Sequence, residues 1–278
     1  MSITHEIHTE KYLDIDNVIS TLSRADNTLQ VQNQGKGIYH FYSNGKSTRG
    51  VDLSKEDYGY EIRNTVLSAA ADFEIANQLG KIVCLQTEGK VYTEEEEEAD
   101  PNMLFSSNDI QRIREQEASV VLALLNDGKP ISFYGPVRQF HFGERLAQTL
   151  SQYKNNPAKL ADEMERIALN VQYKYPDYGT NNILRTTKNE EEIFVKVISH
   201  SSHYVLGKYE YLILSHEKQE EEGLLMLTNN DLIGILPHQW ELLDEYTIHA
   251  PALEEQCWKQ LLEAARPLNC FNKFNENE

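Results

Sequence analysis

Between residues 14 and 25, Ile15, Val18, Ile19 and Leu22 fall on one face of a helix with 3.6 residues per turn. The pattern then shortens. Segments 28–32, 37–42, 49–53 and 58–63 alternate apolar and polar positions and read as strands, divided by turn residues such as Asn33 to Gly35 and Ser43 to Gly45. Helical spacing returns at 69–85, where Phe73, Ala76, Leu79, Ile82 and Val83 make a stripe, Ser68 is the expected cap and Asp72 lies in the positive first turn. A strand at 90–93, a helix at 108–125 and two strands at 131–134 and 137–142 follow. Beyond them the spacing predicts helices at 144–154 and 157–173, the second with Asn156 as cap, Pro157 in its first turn and Leu160, Met164, Ile167, Ala168 and Val171 inward. Strands at 183–187, 193–199, 203–206, 209–215 and 224–228 precede a last helix at 252–265, which Pro267 stops.

Runs of strands followed by helices, without regular βαβ alternation, predict an α+β fold with mostly antiparallel sheets. The division expected is an N-terminal sub-domain at 1–143 and a C-terminal one at 144–278. Strand-then-helix order in both halves is the common grammar of such folds and is no evidence of a repeat. The first ten residues carry no apolar run, are neither a secretory signal nor a transit peptide, and are expected to fray, His5 and His8 with them.

Composition adds one strong constraint: 44 Asp and Glu stand against 26 Lys and Arg, a formal charge of −18. The excess is shared evenly between the halves, so no acidic tail carries it. Exposed carboxylates repel nucleic acid and anionic lipid and steer cationic surfaces inward, so the partner expected is a basic protein, with no direct nucleic acid or membrane binding. Fifteen Tyr and nine Phe place the chain with folded proteins. Cys84, Cys257 and Cys270 are odd in number and far apart; Cys84 sits in an apolar run where a thiol packs as a small hydrophobe. A reducing cytoplasm is the compartment expected.

Chemistry-bearing motifs are few. The sequence has no G-x-x-x-x-G-K-S/T and no G-x-G-x-x-G between strand and helix, and Gly35-Lys36-Gly37 falls between two strands. G-x-S-x-G and H-E-x-x-H are missing as well. His200 and His203, with His216 further on, could share a metal only with further ligands, and a polar turn is the simpler reading. Carboxylate pairs are too numerous here to single out an acid and a base. No catalytic residue, cofactor or metal ligand is therefore assigned. Aromatic residues at Phe133, Tyr134, Phe140 and Phe142, and at Tyr173, Tyr175 and Tyr178, lack the basic groove that base stacking requires and are expected in packing.

Three acidic clusters remain: Glu94, Glu95, Glu96, Glu97 and Glu98 with Asp100; Glu190, Glu191 and Glu192; and Glu217 with Glu220, Glu221 and Glu222. Each flanks or joins strands. They are either solvated edges guarded by charge or a surface for a basic partner. Calcium would need the D-x-D-x-D-G order of oxygens, which none has.

Ser47-Thr48-Arg49-Gly50-Val51, then Tyr60-Glu61-Ile62-Arg63, and later Gly135-Pro136-Val137-Arg138-Gln139-Phe140-His141-Phe142-Gly143 together resemble uncharacterised bacterial proteins of similar length. Some of these look like immunity or accessory proteins associated with secreted toxins. The resemblance implies an α+β scaffold and a protein partner, and no catalytic residues. Arg49 and Arg138 are expected to pair with carboxylates and pin the meander. The function expected is an acidic cytoplasmic protein-binding module that neutralises or escorts a basic toxin or effector. The alternatives are an enzyme built around His141 or His203 near Arg138, and a nucleic acid mimic.

Overall fold

The computed structural model describes residues 2–176, 178, 183–188, 191–216 and 223–271. They form an α+β fold of mostly antiparallel sheets in two compact units, residues 1–174 and 175–278.

The first unit is built on a seven-stranded sheet. Its strands are β1 (Ser2–His8), β2 (Leu29–Gly35), β3 (Ile38–Ser43), β4 (Val51–Glu56), β5 (Gly59–Thr65), β6 (Lys90–Thr93) and β7 (Glu98–Ala99), in the order β2-β3-β4-β5-β1-β6-β7. The meander β2 to β5 follows the alternation of the sequence. The first strand departs from expectation: the N-terminal residues are ordered, with Ser2–His8 inserted between β5 and β6 and His5 opposite both Ile62 and Thr93. Its inward face is Ile3, His5 and Ile7, so the alternation is present but its middle member is a histidine, which reads as polar.

Helix α1 (Ile15–Ala25) buries Val18 and Leu22, and Asp14 caps it by accepting from Asn17 N. Helix α2 (Ala70–Thr87) runs across the sheet and buries Phe73, Ile75, Ala76, Leu79 and Val83. Each such large side chain contributes about 1.5–3 kcal/mol when withdrawn from water. Its cap is Ala69 rather than Ser68, whose hydroxyl turns back to Thr65 O. At Gly80 the Leu104 side chain packs close to the helix backbone, and an added Cβ would stand 2.9 Å from it.

Helix α3 (Ser107–Asn126) packs on α4 (Glu144–Leu150) and α5 (Pro157–Tyr173), with the hairpin β8 (Ile131–Tyr134) and β9 (Gln139–Phe142) against α5. Phe133, Phe140 and Phe142 are buried together with ring centroids 5.3–6.0 Å apart. The expected boundary at 143/144 differs from the division at 174/175 because α4 and α5 belong with α3. Arg114 of α3 reaches Asp162 at 3.2 Å and Glu165 at 2.9 Å on α5.

The second unit holds two small sheets. One orders β10 (Ile183–Lys188), β11 (Glu191–Ile198), β13 (Tyr211–Leu214) and β14 (Leu225–Thr228), and the other orders β12 (Tyr204–Leu206), β16 (Ile248–Ala250) and β15 (Glu241–Leu242). The β11–β13 pair is parallel. Among the described residues, helices α6 (Asn229–Gly234) and α7 (Glu255–Ala265) also belong to this unit. Leu206, Leu212, Leu214, Leu227, Leu232, Ile248, Trp258 and Leu261 are its core.

Candidate functional site

The motif Ser47 to Val51 closes over the start of α2. Asp72, fully buried, accepts from Thr48 N, Thr48 Oγ1, Arg49 N, Gly50 N and Ala69 N at 2.8–3.3 Å. Burial pushes its carboxyl up from the ordinary range, and these donors pull against that. Gly50 has φ +72°, and a Cβ there would meet the His40 imidazole at 2.5 Å, so the loop reaches Asp72 only with glycine at this point. Arg49 was expected to pair with a carboxylate; instead its guanidinium donates to Val66 O at 3.2 Å and lies 5.2 Å above the Phe133 ring. Glu117 of α3 accepts from Leu67 N at 2.8 Å, and burial raises its carboxyl to about 7.

The motif around Arg138 closes over the other end of a helix. Val137 N and Arg138 N donate to Gln172 Oε1 at 2.9 Å, and Gln172 Nε2 donates back to Arg138 O at 2.6 Å. The Arg138 guanidinium donates to Val171 O at 2.8 Å and Gln172 O at 3.0 Å. A cation thus meets the negative end of α5. Tyr173 donates to Ser47 O at 2.8 Å, tying the first loop to the end of α5. Two of the three segments that carry the sequence resemblance therefore fasten α2 and α5, and the third, residues 60–63, lies on β5.

His141 is buried and shares a 2.8 Å hydrogen bond through Nδ1 with Ser132 Oγ. A serine nucleophile needs its base through an imidazole open to the reacting group, whereas this ring is about 1% exposed. His5, expected in a frayed end, is held between strands and edge-on to Phe105 at 4.9 Å; burial lowers its imidazole to about 4. Cys84 is buried, which pushes its thiol up to about 11.

The acidic run forms the β6–β7 hairpin tip. Glu94 folds back, its Oε1 accepting from Thr4 N at 2.8 Å, and Glu98 pairs with Lys90 at 3.2 Å. Glu95, Glu96 and Glu97 point outward on a turn held by Thr93: Glu96 N donates to Thr93 O, Thr93 N to Glu97 O, and Thr93 Oγ1 accepts from Glu95 N and Glu97 N. Asp100, also exposed, accepts from Asn102 N and Nδ2. Glu191 and Glu192 lie on β11, opposite Lys188 and Thr187. Glu190, Glu217, Glu220, Glu221 and Glu222 lie outside the described residues.

In the second unit, a cleft of about 520 Å³ is lined by Ser199, His200, Ser215 and His216 on one side and by α7 on the other, through Glu255, Trp258, Lys259, Leu262 and Glu263, with Arg266 just beyond its end. His203, grouped with His200 by sequence, instead stacks with Tyr178 at 5.4 Å between centroids. The signal for the true neighbours is the dipeptide Ser-His, which follows two apolar strand runs. Among the described residues, no three His, Cys, Asp or Glu side chains come together as a metal site. No described helix is long and apolar enough to cross a membrane.

An α+β protein with two motif loops clamped onto helix ends is the class that this geometry defines. Residues 2–198 match the family described as a domain of unknown function (DUF4299), and the chain belongs to that family. No curated protein and no solved structure matches it.

Proposed function

We propose that this chain is a protein-binding module that engages a basic partner through the β6–β7 hairpin. The observation that supports the reading is the fixed turn presenting Glu95, Glu96 and Glu97: three exposed carboxylates stand on an ordered backbone, not on a floppy tail. Preorganised charge raises the association rate and favours cationic surfaces, while apolar contacts supply most of an interface's affinity. The narrower form is an immunity or accessory protein that holds a basic toxin or effector in the cytoplasm, a compartment that suits the reduced thiols of Cys84 and Cys257. A nucleic acid mimic would need a long track of carboxylates at phosphate spacing, and a compact tip favours a protein contact over it.

The test compares capture from lysate by the wild type and by the triple variant Glu95→Gln, Glu96→Gln, Glu97→Gln at low and high salt. A basic protein held by the wild type, released by salt and held less by the variant supports the reading. Equal retention by both removes the hairpin from the interface.

A further inference from the structure

The cleft of the second unit is built by strand register. Ile198 lies opposite Leu214 in the parallel pair β11–β13, and Ser215 N donates to Ile198 O at 2.9 Å, extending the ladder past the strand ends. Ser199 and Ser215 therefore leave the sheet side by side, and so do His200 and His216. The carboxyl ends of parallel strands, where the chain diverges, are where open sheets form ligand crevices. Here the chain after β11 turns away into β12, which belongs to the other sheet.

The facing wall is graded. Leu262 and the small exposed part of Trp258, which is otherwise a core residue, form an apolar strip, and the indole lies 6.3 Å from the His200 ring between centroids. Glu255 pairs with Lys259 one turn on, and Glu263 and Arg266 bring one further charge of each sign. The charged groups of the lining therefore balance, two against two, inside a chain of net charge −18. The other polar groups are two hydroxyls and two imidazoles, each of which can donate and accept. His216 shows this directly: its Nε2 donates to Gly223 O at 3.1 Å, because a carbonyl only accepts, which leaves Nδ1 as an acceptor on the neutral ring.

A balanced lining favours neither an anion nor a cation. Paired donors and acceptors match hydroxyl groups, which also do both, and an apolar strip matches the C–H face of a sugar ring. A volume of about 520 Å³ lies within the size range of small-molecule sites. We propose that this cleft binds a neutral, polyhydroxylated ligand, a mono- or disaccharide. This is independent of the hairpin reading, since it rests on other residues in the other unit.

The experiment is calorimetric titration of the full chain with glucose, galactose, N-acetylglucosamine and maltose, beside glucose 6-phosphate as the charged counterpart. At least one neutral sugar is expected to bind saturably with a dissociation constant of about 1 mM or tighter, and glucose 6-phosphate more weakly. Ser199→Ala with Ser215→Ala, and separately His200→Gln with His216→Gln, should each weaken that sugar about tenfold or more, with thermal melting to verify the fold. The hairpin triple variant should bind it unchanged. No saturable heat from any neutral sugar at tens of millimolar, tighter binding of glucose 6-phosphate, or full binding by both well-folded double variants would overturn the assignment.

Discussion

Single residues in the core of the first unit carry ionisable groups far from their usual behaviour, and Glu117 gives the clearest consequence. Its carboxyl is raised to about 7 by burial, with Arg49 pulling the other way. The folded chain thus keeps a proton that the unfolded chain releases above about 4.5. The stability this contributes is fully present below the unfolded value and is withdrawn as pH rises through about 7, by up to about 3 kcal/mol. Glu117→Gln keeps an oxygen for Leu67 N and removes the titration. The variant's melting temperature, measured against the wild type, is expected to be several degrees more favourable at pH 8 than at pH 5. Parallel curves at the two pH values would show that Glu117 ionises freely. Asp26 behaves in the opposite sense. Thr28 first, then Ser43 and Lys46, hold its carboxyl far below the usual range, so its contribution is present above about 3.8 and fades in stronger acid.

At the scale of elements, the two loops that fasten helix ends set how firmly α2 and α5 are held. Arg138 supplies hydrogen bonds to two carbonyls at the negative end of α5, and such charge-assisted bonds are worth about 1.5–3 kcal/mol. Arg138→Met should lower the unfolding free energy, read from denaturant titration, by that order and speed hydrogen exchange at the amides near residue 172; an unchanged exchange pattern would mean that Gln172 alone holds the loop. Most elements were legible in the sequence, because α1, α2, α3, α5 and the meander repeat apolar residues at the period of their own geometry. What escaped was short or disguised. Strand β1 was hidden by His5, a polar letter on an inward face, while α6, β15 and β16 are too brief to show a period. The acidic tip was legible as a charged loop between strands. The cleft was not, because only the parallel register of β11 and β13 makes neighbours of Ser-His pairs that are sixteen residues apart.

For the whole molecule, each unit has a core of its own: Phe41, Ile62, Phe73 and Leu79 in the first, Leu212, Leu214, Leu227 and Trp258 in the second. Residues 1–174 alone are therefore expected to melt in one cooperative transition with mixed helix and strand dichroism. A gradual loss of signal would show that this unit needs residues beyond 174. The position of β1 also bears on how the chain leaves the ribosome. Ile3 and Ile7 are made before their ladder partners on β5 and β6, which lie more than fifty residues downstream. The meander from β2 to β5 can zip as it emerges, because each turn is local. The slot beside β5 cannot exist until β5 has been translated and is complete only once α2 and β6 have followed, so β1 is made before the strands that hold it and is seated after them.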